Sequence, residues 1–305
     1  MGRSVSTLSG VVVISTRAQH VLLIAPVVLV LILFLIGPIV LGLVASFTTY
    51  APLQAGWRFV GFGNYARLLS DPDFRIALRN VSVFALIAVP AELAFGFGLA
   101  YLMRRPFAGR AVVRVLLLIP WLISPIANGV LWHFLLNSQV GIPNLIAAVF
   151  GLPLATSPLG SPALALPVLI AIDVWRKAPL AAFLLLPGLQ ALPAAWWELA
   201  TLEGATTRQR IAHIALPALR PLLLTIALLL IGDVLGAFDT VLVLTGGGPG
   251  TATALPGLYS YQRAFQQNDW RIGSTSAWLI VIAVVLIGLA YMRLIRVEPQ
   301  ERRGR

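Results

Sequence analysis

From Val21 to Phe47 the chain runs without one ionisable side chain. A run of that length fits a bilayer better than a water-soluble core. A helix of roughly 20 apolar residues spans the hydrocarbon, because each backbone N–H and C=O must find its partner inside the segment. Five further segments have this character, at about Val81–Met103, Val115–Leu136, Ala163–Gly188, Arg220–Leu244 and Ser274–Tyr291. The expectation is an all-α integral membrane protein with six transmembrane helices. The first run is too long for the apolar part of a cleaved signal and no small-x-small site follows it, so it is expected to be a retained span.

Composition agrees. Of 305 residues, 59% are hydrophobic and 11% charged, whereas soluble domains carry roughly 25% charge. The net charge of +11 raises the question of nucleic acid, but the arginines are scattered between apolar runs and do not build one soluble basic face. Sorted by loop, Arg3, Arg17, Arg104, Arg105, Arg110, Arg114, Arg208, Arg210, Arg220, Arg293, Arg296, Arg302, Arg303 and Arg305 fall on the side of both termini. Arg58, Arg67, Arg75, Arg79, Arg263 and Arg271 fall on the other. Positive charge is retained in cytoplasmic loops, so both termini are expected inside. Residues 1–20 then form a cytoplasmic tail, 21–294 the six-span domain and 295–305 a basic cytoplasmic tail.

Several chemistries are excluded by what the chain lacks. It has no Cys, hence no thiolate nucleophile, disulfide or Cys-based metal site. His20, His133 and His213 are too far apart in sequence for a His-x-x-x-His metal pair. No G-x-x-x-x-G-K-[ST] occurs, and the one Lys, Lys177, follows Trp175-Arg176, so the chain cannot hold ATP through a P-loop. No G-x-S-x-G nucleophile motif is present either. No catalytic residue, metal or resident cofactor is expected.

The loops carry local signals. Asp71 before Pro72 is a helix start, with Asp as N-cap and Pro at the first position, and predicts a short surface helix over 73–79 leading into the second span. Residues 137–162 are uncharged and rich in Gly, Pro and Ser, as in a compact loop, and Gly246–Gly250 predicts a dense turn. Between the fourth and fifth spans, about 190–218, the sequence reads as two short helices. Pro193 suits a first helical position, Gly204 a left-handed end, and Thr206 with Gln209 a capping box. A polar turn would suffice to join two spans; a helix-turn-helix suits docking.

That segment carries a resemblance. Glu198-Leu199-Ala200, Gly204 four residues after Ala200, and Ile214-Ala-Leu216-Pro217 after nine more positions resemble the EAA loop of permease subunits in bacterial binding-protein-dependent ABC importers. Leu199 stands where the family usually has a second Ala, and Glu203 where Asp is common. Phe59-Val-Gly61, Asn64-Tyr65, Asp71-Pro72 and Asn80 are similar to the first outside loop of the sugar-importing subgroup. Phe238-Asp239, Leu244–Pro249, Tyr261 and Phe265 are similar to the last, in the maltose-type first permease. The resemblance implies a bacterial plasma (inner) membrane, a second permease subunit, two copies of an ATPase that binds ATP and Mg, and an extracytoplasmic solute-binding protein. It implies ATPase coupling for Glu198, Ala200, Gly204, Ile214, Leu216 and Pro217.

Polar residues inside spans are expensive, by at least roughly 2.5 kcal/mol near the centre for a charge, and so face the bundle interior or a wet path. Asp173 has Arg176 and Lys177 at i+3 and i+4, which allows internal neutralisation. Asp173-x-Trp175-x-x-x-Pro179 also resembles the maltose-type segment that lines the sugar site, where Asn stands at the Asp position, and Asn137 with Gly141 resembles another lining pair. Asn137, Gly141, Asp173 and Trp175 are therefore the expected substrate path. Asn137 as a helix cap and Trp175 as a packing residue are the plainer alternatives. Glu92, Asp233 and Asp239 are expected as interhelical hydrogen-bonding groups. The expected function is carbohydrate import by alternating access. Glycerol phosphate or another polar solute, an ATP-independent carrier, and an intramembrane hydrolase stand as alternatives.

Overall fold

The computed structural model describes residues 16–52, 56–151 and 157–296. Of the expected tails, residues 1–15 and 297–305, with Arg3, Arg302, Arg303 and Arg305, lie outside the described residues, while 16–20 and 295–296 continue the adjoining helices. Among the described residues the chain is all-helical; its one β feature is an isolated antiparallel bridge between Thr48 and Phe59.

Helix α1 (Thr16–Leu31) passes through a wider π turn at Ile32–Ile36 into α2 (Gly37–Ser46). After α3 (Gly63–Ser70), α4 (Pro72–Met103) runs for 32 residues. The N-cap is as the sequence predicts: Asp71 Oδ1 accepts from the N–H of Asp73 at 2.9 Å and of Phe74 at 3.4 Å. No separate surface helix follows it. Nothing between Arg79 and the apolar run breaks the helix, so α4 is continuous from cap to span.

The third expected span is divided. Helix α5 (Arg110–Leu122) and α6 (Pro125–Leu135) meet at 90°. Pro125 lacks an N–H and pushes the residue before it out of the helical region; Ile123 and Ser124 are extended, with ψ of 127° and 147°. The uncharged loop after it contains α7 (Ile142–Val149), which composition alone conceals. Residues 152–156 of that loop lie outside the described residues.

Helix α8 (Ala165–Gln190) leads to α9 (Ala194–Leu202), then α10 (Thr207–Arg210), a π turn at Ile211–Ala215 and α11 (Leu216–Ala218). Helix α12 (Arg220–Gly236) leaves that last stretch at 74°. It stops short of the expected Leu244, because Ala237 is extended and α13 (Asp239–Leu244) starts afresh. The chain closes with α14 (Pro256–Tyr261) and α15 (Trp270–Arg296).

Three of these helices are long and apolar enough to cross a membrane, Leu23–Ser46, Pro72–Met103 and Trp270–Arg293, and up to five if each bent pair is one span. Helix α8 has the length, but Asp173, Arg176 and Lys177 interrupt its apolar character.

The centre of the molecule is the contact of α4 with α8. Phe84, Ala88, Ala181 and Leu185 are buried there. Gly96 permits the close approach: a Cβ on it would stand 2.6 Å from that of Ala181 and 3.0 Å from the Ala178 carbonyl. Helix α12 packs against both helices, more extensively against α4. At one end, the loops are tied across the sequence. Asp71 Oδ2 accepts from the Tyr259 hydroxyl at 2.9 Å and pairs with Arg263, whose guanidinium lies over the Tyr259 ring. Asn80 Nδ2 donates to the carbonyls of Thr251 and Ala254 at 2.9 and 3.0 Å.

Candidate functional site

An ionic layer lies between α4, α8 and α12. Asp173 is buried, with Lys177 at 2.7 Å and Arg176 at 3.7 Å on its own helix. Helical spacing brings residues three and four apart onto one face. From α12, Asp233 pairs with Lys177 and stands 3.9 Å from Arg176. Asp233 thus joins two helices, by an ion pair where a hydrogen bond was expected. Glu92 of α4 is fully buried against this layer, facing Asp173, Lys177 and Asp233. No nitrogen or hydroxyl donor reaches its carboxyl oxygens; its hydrogen-bonding neighbour is the Asp173 carboxyl of α8, so the expected interhelical contact is made between two acids. The cations of the layer are taken up by the two aspartates.

A cavity of about 290 Å³ opens beside the layer, lined by Phe84, Leu169, Asp173, Lys177, Asp233 and Asp239 among others. Two more hollows are relevant. One of about 600 Å³ is almost wholly apolar and is lined by Phe95, Leu117, Pro120, Val174, Trp175 and Pro179 among others. Another of about 330 Å³ is lined by His133, Asn137, Ser157, Leu244, Thr245 and Pro249 among others.

The four expected path residues are thereby distributed. Asp173 faces the charged cavity. Trp175, two residues on, points to the apolar groove and meets Trp132 edge to face at 5.4 Å. Asn137 lines the third hollow, and its Oδ1 accepts from the N–H of Gln139 at 2.8 Å and of Val140 at 3.3 Å, capping a turn. Gly141 closes that turn: a Cβ would lie 2.4 Å from the Asn137 carbonyl and 2.5 Å from that of Leu135. His133 Nδ1 lies 2.9 Å from the Leu244 carbonyl and links α6 to α13.

The 191–219 segment is held by local bonds. Gly204 has φ +76°. Its N–H bonds the Thr201 carbonyl at 3.1 Å and that of Ala205 bonds Ala200 at 2.9 Å, the paired bonds of a Schellman end. Nothing lies within 4 Å of where its Cβ would be, so glycine is needed here for the backbone angle and not for space. Thr206 and Gln209 form the capping box in both directions. Ala200 is buried and Ile214 half-buried; Glu198, Gly204, Leu216 and Pro217 are exposed. The contact that anchors this segment has no signal in residue order: Trp197 of α9 packs on Tyr101 at the end of α4, with the Arg104 guanidinium over both rings at 4.9 and 3.4 Å.

Among the described residues no group of three or more His, Cys, Asp or Glu is arranged to hold a metal ion. The arrangement offers ion pairs and polar cavity walls between α4, α8 and α12.

Comparison with known proteins places these features. Residues 92–301 match the family described as binding-protein-dependent transport system inner membrane component. The trehalose/maltose transport system permease protein MalF of Thermococcus litoralis is 32% identical over 275 residues, covering 89% of this chain and 92% of that protein. The sulfoquinovosyl glycerol transport system permease protein SmoG of Agrobacterium fabrum is 30% identical over 284 residues, covering 92% of each. In fold the chain is similar to a chain of a bacterial alginate ABC transporter crystallised with an alginate pentasaccharide-bound periplasmic protein. There the TM-score is 0.76 at 20% identity, covering 90% of this chain and 92% of that one.

Proposed function

Since the chain belongs to the family of binding-protein-dependent transport system inner membrane components, we propose that it is one of two permease subunits of an ATP-driven carbohydrate importer in a bacterial inner membrane. Two ATPase copies and an extracytoplasmic solute-binding protein complete the complex. The chain crosses the membrane six times with both ends in the cytoplasm: the bent pair α5–α6 counts as one crossing, α8 as a second, and α12 continuing through α13 as a third. ATP and Mg are bound by the partner ATPase.

The observation that carries this reading is the 191–219 segment, whose two helices join α8 directly to α12. Glu198, Ala200, Gly204, Ile214, Leu216 and Pro217 form the docking element, and closure of the ATPase pair moves α8 and α12 as packed rigid bodies. Those are the helices that the Lys177–Asp233 pair connects across the charged cavity. Asp173, Trp175 and Asn137 line the route, each at its own hollow, and Gly141 closes the turn that Asn137 caps. Both cations of the cavity are already paired with acids, which favours a neutral polyhydroxylic solute over glycerol phosphate or another anion.

The test is uptake in sealed proteoliposomes. Solute accumulation should require ATP, the ATPase, the second permease and the binding protein together, and accumulation by this chain alone without ATP would refute the reading. Glu198→Arg and Gly204→Asp should lose the co-purifying ATPase. Asn137→Ala and Asp173→Ala should keep it and lose uptake.

A further inference from the structure

The turn between α4 and α5 concentrates positive charge at Arg104, Arg105, Arg110 and Arg114. Among the described residues none of the four makes an ion pair. Arg110 and Arg114 stand one helical turn apart at the start of α5. Nε and Nη2 of Arg110 and Nε of Arg114 are covered by the protein and donate to nothing there; both residues are half-buried, and their other guanidinium nitrogens are the ones that reach the surface. Arg104 donates to the Tyr101 carbonyl at 3.1 Å, and it is repelled by Arg105 and by Arg210 of α10. Half-buried guanidinium groups with no acid beside them and like charges nearby call for an anion with several oxygens at their accessible nitrogens.

The surroundings identify what carries that anion. Leu102, Val112 and Val115 are 72%, 62% and 65% exposed, and Phe107 is exposed beside them. These apolar side chains flank the arginines at the point where two spans end. A free ion would leave them in water; an amphiphile with a phosphate head and hydrocarbon tails matches both surfaces. An acidic protein surface would satisfy the arginines but would have to displace lipid from the span.

We propose that the 104–114 turn binds the phosphate headgroup of an anionic phospholipid, with Arg105, Arg110 and Arg114 on the phosphate and Leu102, Phe107 and Val112 against the acyl chains. The assignment to the cytoplasmic leaflet rests on the topology proposed above. Because Arg104 also covers Trp197 of α9, a bound headgroup offsets the repulsion on Arg104 and steadies the 191–219 segment.

The experiment uses the purified complex in vesicles of phosphatidylcholine alone or with phosphatidylglycerol, with retained lipid read by native mass spectrometry. Wild type should retain phosphatidylglycerol in preference to phosphatidylcholine, and inorganic phosphate should not displace it. Each arginine near an anionic surface contributes about fivefold in affinity, so an Arg110→Gln/Arg114→Gln variant should lose about 25-fold. Arg110→Lys/Arg114→Lys should keep most of it and shows whether charge or fold is at issue. Equal retention by wild type and the Gln variant overturns the proposal. So does loss of the ATPase from the Gln variant with lipid unchanged, which assigns the turn to a protein partner. Since the chain has no Cys, Ala108→Cys provides a unique label. Labelling from the cytoplasmic side without lipid preference sinks this inference alone, whereas labelling from outside sinks the topology as well.

Discussion

At one end of the helical bundle, residues far apart in sequence bond to one another; at the other, they bond to their neighbours. Asp71 reaches Tyr259 and Arg263, Asn80 reaches Thr251 and Ala254, and the Thr275 hydroxyl donates to the Ser46 carbonyl at 3.4 Å. The 191–219 segment instead relies on the Schellman bonds of Gly204 and the Thr206–Gln209 box, with Trp197 as its link to α4. Long-range ties fix loops relative to one another, while local caps preserve a helix pair as a unit that meets the bundle through packed side chains, Ala215, Leu219 and Trp197 among them. The first end is held by bonds that span the sequence, the second by bonds within a few residues and by side-chain packing.

The contrast can be broken most severely in the ionic layer. Lys177→Met leaves Asp173 buried without its nearest cation, and breaking a buried pair costs about 3–5 kcal/mol. Thermal unfolding of the purified protein should fall sharply. Asp233→Asn, removing a partner whose side chain is 57% exposed, should fall less. If Lys177→Met unfolds at the wild-type temperature, the layer is not a structural tie.

Asn80→Ala removes the donor from two loop carbonyls, at a cost of about 1–3 kcal/mol for the groups left unpaired. Proteolysis within residues 245–255 should accelerate, with cleavage at 203–206 unaffected. At the opposite end, Gly204→Val forces a side chain into left-handed backbone, about 1–2 kcal/mol of local strain, and Thr206→Ala removes a cap, about 1 kcal/mol. Both should leave the unfolding temperature nearly unchanged while lowering transported solute per ATP hydrolysed. A global loss of stability from either would erase the distinction between the two ends.

The smallest effect is that of pH on Asp71. Burial pushes its carboxyl up, but the Tyr259 hydroxyl, the Asp73 amide, Arg263 and the Phe74 amide outweigh it and hold the group below its ordinary value. Burial and the same carboxylate push the Tyr259 hydroxyl up. The stability Asp71 contributes is therefore complete above about pH 4, the unfolded carboxyl value, and is lost as pH falls through the lower folded one. The unfolding temperature of wild type should drop further on acidification than that of Asp71→Asn; parallel curves would contradict this.

Much of this was legible from residue order. The Asp71-Pro72 cap, the left-handed Gly204 and the Thr206–Gln209 box depend on bonds within a few residues, so their spacing suffices to predict them. The breaks at Ile123–Ser124 and Ala237 were less visible, because Pro is tolerated inside other apolar helices here, at Pro90 in α4 and Pro179 in α8. Apolar run length does not register a bend. The path residues are the clearest case. Asp173 and Trp175 sit two apart in sequence, yet a helix turns them to different cavities, and Asn137 is near neither in sequence.

Residue order alone settles that the chain belongs in a membrane and where several of its helices cap, since hydropathy and capping are properties of a residue and its near neighbours. Packing alone brings Asp233 to Lys177, buries Glu92 against Asp173 beside them, and anchors Trp197 on Tyr101 and Arg104. Those contacts depend on how α4, α8, α9 and α12 pack, and packing is set by the shapes of all their faces together.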